Sequence, residues 1–244
     1  MTDHNAMAPP TAYGALAERI RADIISGRLQ PGDKLPSESE LFDHYDVSRS
    51  TAREAMRILA SEGLVVTTRG VTGGTFVAHP SPTQLTTSLR TGLELLTASA
   101  RLSVPMLLEV REMLEIPAAE LAAKRRTKAE LELIRESLFD PEHVDPAVIF
   151  ESNRDFHTRI LQAARNPLLE LVTQPVFRVL DQRFVRENAP HRFWHRVDHD
   201  HREILRHVEA GDSAQAGAAA TAHLKYLRRA YTRIDTRSST RAAD

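Results

Sequence analysis

The hydrophobic pattern of this chain departs from helical period in one place only. Up to Gly63 apolar residues recur at helical spacing. Residues 64–78 then carry two short β-branched and aromatic runs, Leu64-Val65-Val66-Thr67-Thr68 and Thr75-Phe76-Val77-Ala78, with Arg69 to Gly74 between them. From about residue 84 onward the spacing is helical again and no further strand signal occurs. A chain patterned this way has no sheet to build on beyond one hairpin. Everything after that hairpin must bury its apolar stripes helix against helix.

The first part reads as one compact unit of three helices and a hairpin. Leu16, Ile20, Ile24 and Ile25 line a first helix over about 13–29, loosened at its end by Gly27, and Pro31-Gly32-Asp33 is a turn. Pro36-Ser37 opens a second helix, with Ser37 and Glu40 spaced as a capping box and Leu41, Phe42 and Tyr45 on its apolar side. Ser48 is the N-cap of a third. There Ala52, Ala55, Met56 and Leu59 fall at i, i+3, i+4 and i+7, leaving Arg49, Ser50, Arg53 and Arg57 on the opposite side.

The boundaries expected are 12–78 for this unit, 79–83 for a proline-containing linker and 84–233 for an all-helical domain, with 1–11 and 234–244 as flexible tails. Within the second domain helical patterns run over about 84–99, 104–125, 128–139, 146–165, 167–188, 191–210 and 213–233. They are punctuated by a Thr127/Glu130 capping box, by Asp145-Pro146 and by Gly211-Asp212. The fold class is therefore mainly α.

Composition closes some doors. The chain has no cysteine, so disulfides, thiol nucleophiles and thiolate metal sites are excluded. No apolar run reaches membrane-span length, and the start lacks the basic-then-apolar order of a secretion signal. A cytoplasmic location with no membrane partner is the expectation. Net charge is −1, and the first eighty residues hold eight Lys/Arg against ten Asp/Glu. Nucleic-acid binding cannot rest on bulk charge, only on where the arginines sit.

Two short helices joined by a tight turn, the second presenting polar and basic groups near its start, suit insertion into a major groove. Arg49 and Arg53 lie one turn apart and can fork onto guanine or a phosphate. Ser48, Ser50 and Thr51 are short donors, and the exposed N–H groups of a helix start favour a phosphate. The hairpin tip, with Arg69, Gly73 and Gly74, would follow the backbone or minor groove as a wing. On spacing alone, the solvated face of a surface helix accounts for these arginines equally well.

The histidines of the second domain divide. His191, His195 and His199 recur every four residues in a densely charged segment and read as a solvated face, as does His207. Asn153 and His157 are i, i+4 on one helix beside Phe156 and Ile160, a spacing at which two ligands can share a metal. His201 and His223 sit on the last two helical segments and join that pair only if both point to the same interior. Taken singly, each is an ordinary core or surface histidine.

Order and spacing of motifs then add a resemblance. Ile25-Ser26-Gly27-Arg28-Leu29-Gln30-Pro31-Gly32-Asp33-Lys34-Leu35-Pro36-Ser37-Glu38 and Val47-Ser48-Arg49-Ser50-Thr51-Ala52-Arg53-Glu54-Ala55, followed by Leu59, Glu62-Gly63-Leu64 and Gly74-Thr75-Phe76-Val77, resemble the winged helix-turn-helix of the GntR family of bacterial regulators. The resemblance implies DNA contacts by Ser48, Arg49, Ser50 and Arg53, with the wing glycines close by. Ser39 stands where the family usually carries an arginine that reaches DNA, which alters one expected contact.

Residues 84–230 resemble the FCD effector domain of the FadR-like branch of that family. The resemblance is carried by Glu109-Val110-Arg111 with Leu114-Glu115, by Asn153 with Phe156-His157 and Asn166-Pro167, and by His201 with Ile204, Gly211-Asp212 and His223-Leu224. It implies a divalent metal, Zn²⁺ or alternatively Ni²⁺ or Mn²⁺, on Asn153, His157, His201 and His223. It further implies that Arg111 holds the carboxylate of a small organic effector. Asn153 is neutral where many relatives place an aspartate, which lowers the ligand charge. Together the two resemblances imply a homodimeric regulator, a repressor by expectation, on a pseudo-palindromic operator and not an enzyme. The competing readings are a direct metal sensor, an acyl-CoA-responsive regulator and a metal-dependent enzyme.

Overall fold

The computed structural model of the chain describes residues 11–70, 73–79, 81–99, 101–183 and 191–241. It divides into two compact units, 1–81 and 82–244. The first contains α1 (Ala12–Ile25), α2 (Glu38–Tyr45), α3 (Arg49–Ser61), β1 (Val65–Thr68) and β2 (Gly74–Val77). The second contains α4 (Pro82–Ala98), α5 (Val104–Arg125), α6 (Lys128–Glu136), α7 (Pro146–Ala163), α8 (Pro167–Arg183), α9 (His191–Ala210) and α10 (Ser213–Arg241).

In the first unit the three helices close on a core of Leu16, Ile20, Leu35, Leu41, Ala52, Ala55, Met56, Leu59, Val65 and Val77. The four apolar positions anticipated on the third helix are its buried ones. α1 stops at Ile25, short of the expected Leu29, because Ser26 caps it and Gly27 takes a φ of 76°. β1 and β2 pair antiparallel, Val65 opposite Val77 and Thr68 opposite Gly74. The segment after the Pro31-Gly32 turn does more than turn. Leu35 N donates to Thr75 O at 2.8 Å and Val77 N to Asp33 O at 2.9 Å, so it pairs along the other edge of β2.

The second unit is helical throughout among the described residues. Its main cluster joins α5, α6, α7, α9 and α10 through Ala119, Ala122, Ala123, Ile134, Phe156, Ile160, Ile204, Val208, Ala216 and Ala220. The α5 and α10 contributions are alanines, and short side chains let two helix backbones approach closely. Thr127 and Glu130 form the expected capping box on α6. At the other end of α6, Ser137 caps the helix and donates its hydroxyl to Ile134 O at 2.6 Å, ending it short of the expected residue 139. α7 ends at Ala163, before the expected 165, where Arg165 takes the left-handed conformation at φ 51°.

One expectation about the ends is revised, and another lies outside the described residues. The polar stretch after residue 233 continues as α10 to Arg241, since Ile234-Asp235-Thr236-Arg237-Ser238-Ser239-Thr240 holds neither Gly nor Pro to stop a helix. Residues 1–10, expected as a tail, lie outside the described residues, and Thr11 is the N-cap of α1. The last part of the helix expected over 167–188 also lies outside them.

Because α5 and α10 meet through alanines, Ala122→Leu, at a position with no exposure, should overpack the interface. We expect a loss of about 1–3 kcal/mol in a urea unfolding curve. An unchanged midpoint would show that the helices have room to part.

Candidate functional site

The first site lies in the N-terminal unit. α2 ends with Asp46 in the left-handed conformation, φ 51°, and Ser48 caps the next helix two residues later. That geometry is what makes the connection between the two helices tight. Ser48 Oγ accepts from Thr51 N at 3.1 Å and lies 2.8 Å from both Ser50 Oγ and Thr51 Oγ1, which gathers three hydroxyls at the start of α3. Arg49, Ser50, Arg53 and Arg57 are all exposed, while Thr51 is half-buried. Arg57 is tied to Glu54 at 2.9 Å.

At the hairpin, Arg69 is exposed. Gly73 must be glycine, because a Cβ there would lie 2.6 Å from Thr68 O and 2.8 Å from Gly70 O. Gly74, with φ 154°, lies against the Lys34 side chain. The Ser39 side chain lies outside the described residues.

The second site is inside the helical unit. His157 on α7, His201 on α9 and His223 on α10 are buried together, and one nitrogen from each falls within 4.8 Å of the others. Ring centroids lie 4.9–5.3 Å apart. His201 is held by stacking on Phe156, with centroids 3.9 Å apart and planes 9° from parallel. Asn153 is buried on α7 one turn before His157. Of the expected surface histidines, His199 is exposed and His195 is exposed beside Glu142 at 2.7 Å, while His207 is half-buried. The His191 side chain lies outside the described residues.

The arrangement suits a cation. Both ring nitrogens of His201 and Nε2 of His223 are buried without a hydrogen-bond partner. Such atoms are costly unless something binds them. Burial holds His157 down to about 4, and lowers His201 and His223 too, so the imidazoles are neutral and keep a lone pair for a ligand bond. With Zn–N bonds of about 2.0–2.1 Å, two ligands can stand at most about 4.2 Å apart, so the three rings would need to draw in slightly around an ion. A cavity bordered by His157 and His223, with Phe156, Glu115, Ala118, Ile160 and Ala220, holds about 10 Å³. That is room for on the order of one water-sized guest.

Arg111 on α5 is also buried, but it is engaged within the protein. Its Nε lies 2.5 Å from Glu115 Oε1, and its guanidinium sits over the Phe177 ring at 4.7 Å. Its Nη2 is 3.4 Å from His157 Nε2, so it borders the histidine cluster. Glu115 in turn accepts from His157 Nδ1 at 2.7 Å. Although burial pushes its carboxyl upward, Arg111 and His157 prevail and bring it down to about 2. Sequence reasoning assigns no role to Glu115 or to Asp200, which lies 3.4 Å from His223 Nδ1. The available signals were the Arg111/Glu115 i, i+4 spacing and an aspartate next to a candidate ligand histidine.

A winged helix joined in one chain to a helical unit with a buried histidine cluster defines a two-domain, DNA-binding transcription regulator. The chain belongs to the GntR family: residues 12–77 match the family described as bacterial regulatory proteins, gntR family, and residues 106–226 match the FCD domain. It is 35% identical over 211 residues to the HTH-type transcriptional regulator LutR of Bacillus subtilis (strain 168), covering 82% of this chain and 92% of that one. It is 30% identical over 225 residues, 90% of this chain and 86% of the other, to an Escherichia coli (strain K12) protein named for regulating the L-lactate dehydrogenase operon. Among solved structures, Streptococcus agalactiae GntR superposes with a TM-score of 0.58 at 26% identity, over 89% of this chain and 99% of that one. These relatives are transcription regulators, and the enzyme reading falls with them. No described helix is long and apolar enough to cross a membrane.

The neutral, buried histidines carry a consequence for stability. The unfolded chain binds protons at His157 near the ordinary 6.5, whereas the folded chain resists until about 4. Lowering the pH through that window therefore favours unfolding, and stability rises again as pH rises. In chelator-treated protein the urea midpoint should fall steadily from pH 7 to pH 5, above the range in which carboxylates titrate. A flat profile would mean the rings are not buried neutral.

Proposed function

We propose that this chain is a repressor released by a small carboxylate metabolite, acting as a homodimer on a pseudo-palindromic operator in the cytoplasm. The observation that carries this reading is the convergence of three buried histidines, two of them with nitrogens that lack partners, with a buried arginine at their edge. His157, His201 and His223, with Asn153 as the fourth ligand, would hold a divalent metal, Zn²⁺ before Ni²⁺ or Mn²⁺. A bound ion supplies a Lewis-acidic centre for a carboxylate, and Arg111 offers a guanidinium beside it. That guanidinium is shared with Glu115, so an effector would have to share or displace the Glu115 contact. The E. coli relative is named for an L-lactate dehydrogenase operon, which makes L-lactate the first acid to try.

On the DNA side, Ser48, Arg49, Ser50, Thr51 and Arg53 would face the major groove, while Arg69, Gly73 and Gly74 form the wing. Two symmetric copies would read two half-sites one helical turn apart. Effector binding and operator binding must then be reciprocally coupled.

A second reading, direct sensing of the metal, is favoured by the size of the cavity. At about 10 Å³ it admits an ion but no organic acid unless the helices part.

Thermal melting across small carboxylic acids, with and without chelator, separates the two readings. Release by a metabolite predicts that at least one acid, with L-lactate the first to try, raises Tm and that chelation abolishes the shift. A fall on chelation alone, with no acid effective, supports direct metal sensing. No response to either discards the histidine site. Independently, Arg53→Ala should weaken operator binding by about 1–3 kcal/mol in a gel-shift or anisotropy titration, with the fold unchanged by circular dichroism. Wild-type affinity in that variant would move the recognition surface elsewhere.

A further inference from the structure

We propose that Glu115 and Asp200 are positioning residues that set the tautomer of His157 and His223 and thereby aim their Nε2 atoms into the shared cluster. The inference rests on the metal reading above and adds to it the residues that would organise the ligands.

Two parallel chains of contacts support it. In the first, Arg111 donates through Nε to Glu115 Oε1 at 2.5 Å, and Glu115 Oε2 faces His157 Nδ1 at 2.7 Å. In the second, Arg196 donates through Nε to Asp200 Oδ1 at 2.7 Å, and Asp200 Oδ2 faces His223 Nδ1 at 3.4 Å. Each is an arginine, then a carboxylate, then an imidazole, and in each the arginine and carboxylate are i, i+4 on one helix.

An ionised carboxylate only accepts hydrogen bonds, so a ring nitrogen facing it must carry the proton. Each carboxylate is met on its other oxygen by an arginine, Arg111 at Glu115 Oε1 and Arg196 at Asp200 Oδ1, and a cation so placed favours the ionised, acceptor-only form. A neutral imidazole protonated on Nδ1 has its lone pair on Nε2. For His223 that atom is buried with no partner, and for His157 it lies at the cluster, 3.4 Å from Arg111 Nη2. Carboxylate backing of a ligand histidine fixes ring orientation and raises basicity. The arginines explain how two carboxylates tolerate burial at 5% and 6% exposure.

His201 is different. Neither of its nitrogens has a partner, and its plane is set by stacking on Phe156 instead. The cluster therefore holds two rings fixed in tautomer and one fixed only in plane.

The test uses the full chain, freed of metal by a chelator, with nitrogen-15 in its histidines, read by long-range proton–nitrogen NMR correlation and by zinc titration against a competing chelator. In the wild type His157 and His223 should both carry the proton on Nδ1. Asp200→Ala should release His223 from that tautomer, leave His157 unchanged and weaken zinc binding about 10–100-fold. Glu115→Gln keeps an acceptor oxygen, so His157 should hold its tautomer while zinc affinity falls within the same range. Asp200→Asn serves for the zinc comparison if the alanine variant does not fold.

A proton on Nε2 of either ring in the wild type overturns the proposal, as does wild-type zinc affinity in Asp200→Ala and Glu115→Gln. A wild type that carries the Nδ1 proton on both rings but takes up no zinc overturns the metal reading while the orientation of the rings stands. A wild type that binds zinc with variants indistinguishable from it does the reverse.

Discussion

The helical unit is organised around a debt of unsatisfied polarity. Three imidazoles are taken out of water in a bundle whose main hydrophobic cluster is built of Ala, Ile, Leu, Val and Phe. A buried polar group without a partner costs roughly 1–3 kcal/mol, and three nitrogens of His201 and His223 have none. The surrounding residues offset part of that cost. Glu115 and Asp200 each accept a hydrogen bond from one of the rings, each carboxylate is met by an arginine, and Phe156 covers the third ring face to face. The nitrogens left without partners belong to the histidine cluster, and His157 and His223 border one small cavity beside it. Polar atoms retained in a core at this cost are expected where a ligand completes them.

α5 ties this arrangement to the rest of the bundle. Arg111 and Glu115 sit around its middle, and Ala118, Ala119, Ala122 and Ala123 follow on the buried face. Pro117 lies between the two stretches, where the missing N–H loosens the helix ladder locally. A guest that shifted Arg111 or Glu115 would act on a helix that packs closely against α10, which carries His223. The site is thus embedded in the main helix–helix interface of the unit and not appended to it.

How far this was readable beforehand depends on the range of the interactions involved. Local signals served well. Ser37 with Glu40, Thr127 with Glu130 and Ser48 with Thr51 form their caps within one turn of chain, so residue type and spacing suffice. The apolar positions of α3 follow from a 3.6-residue period. Boundaries that depend on a single residue adopting positive φ, such as Gly27 and Arg165, fall two to four residues earlier than periodicity alone places them. The 33–35 segment reads in sequence only as a turn and its exit, because nothing in a three-residue stretch specifies β2 as its partner.

By itself, then, the sequence determined the element types, the single hairpin, the helix caps and, through ordered motifs, the family. It also put four candidate ligands on helical segments. Whether His157, His201 and His223 meet was a tertiary question, since three helices from distant parts of the chain have to rotate the right faces inward, and helical period alone leaves each rotation open. The same holds for Glu115 and Asp200. Their partners on the same helix stand one turn away, but the imidazoles they face, His157 and His223, come from other helices. Only packing decided that an arginine expected to await a ligand already holds a carboxylate of its own.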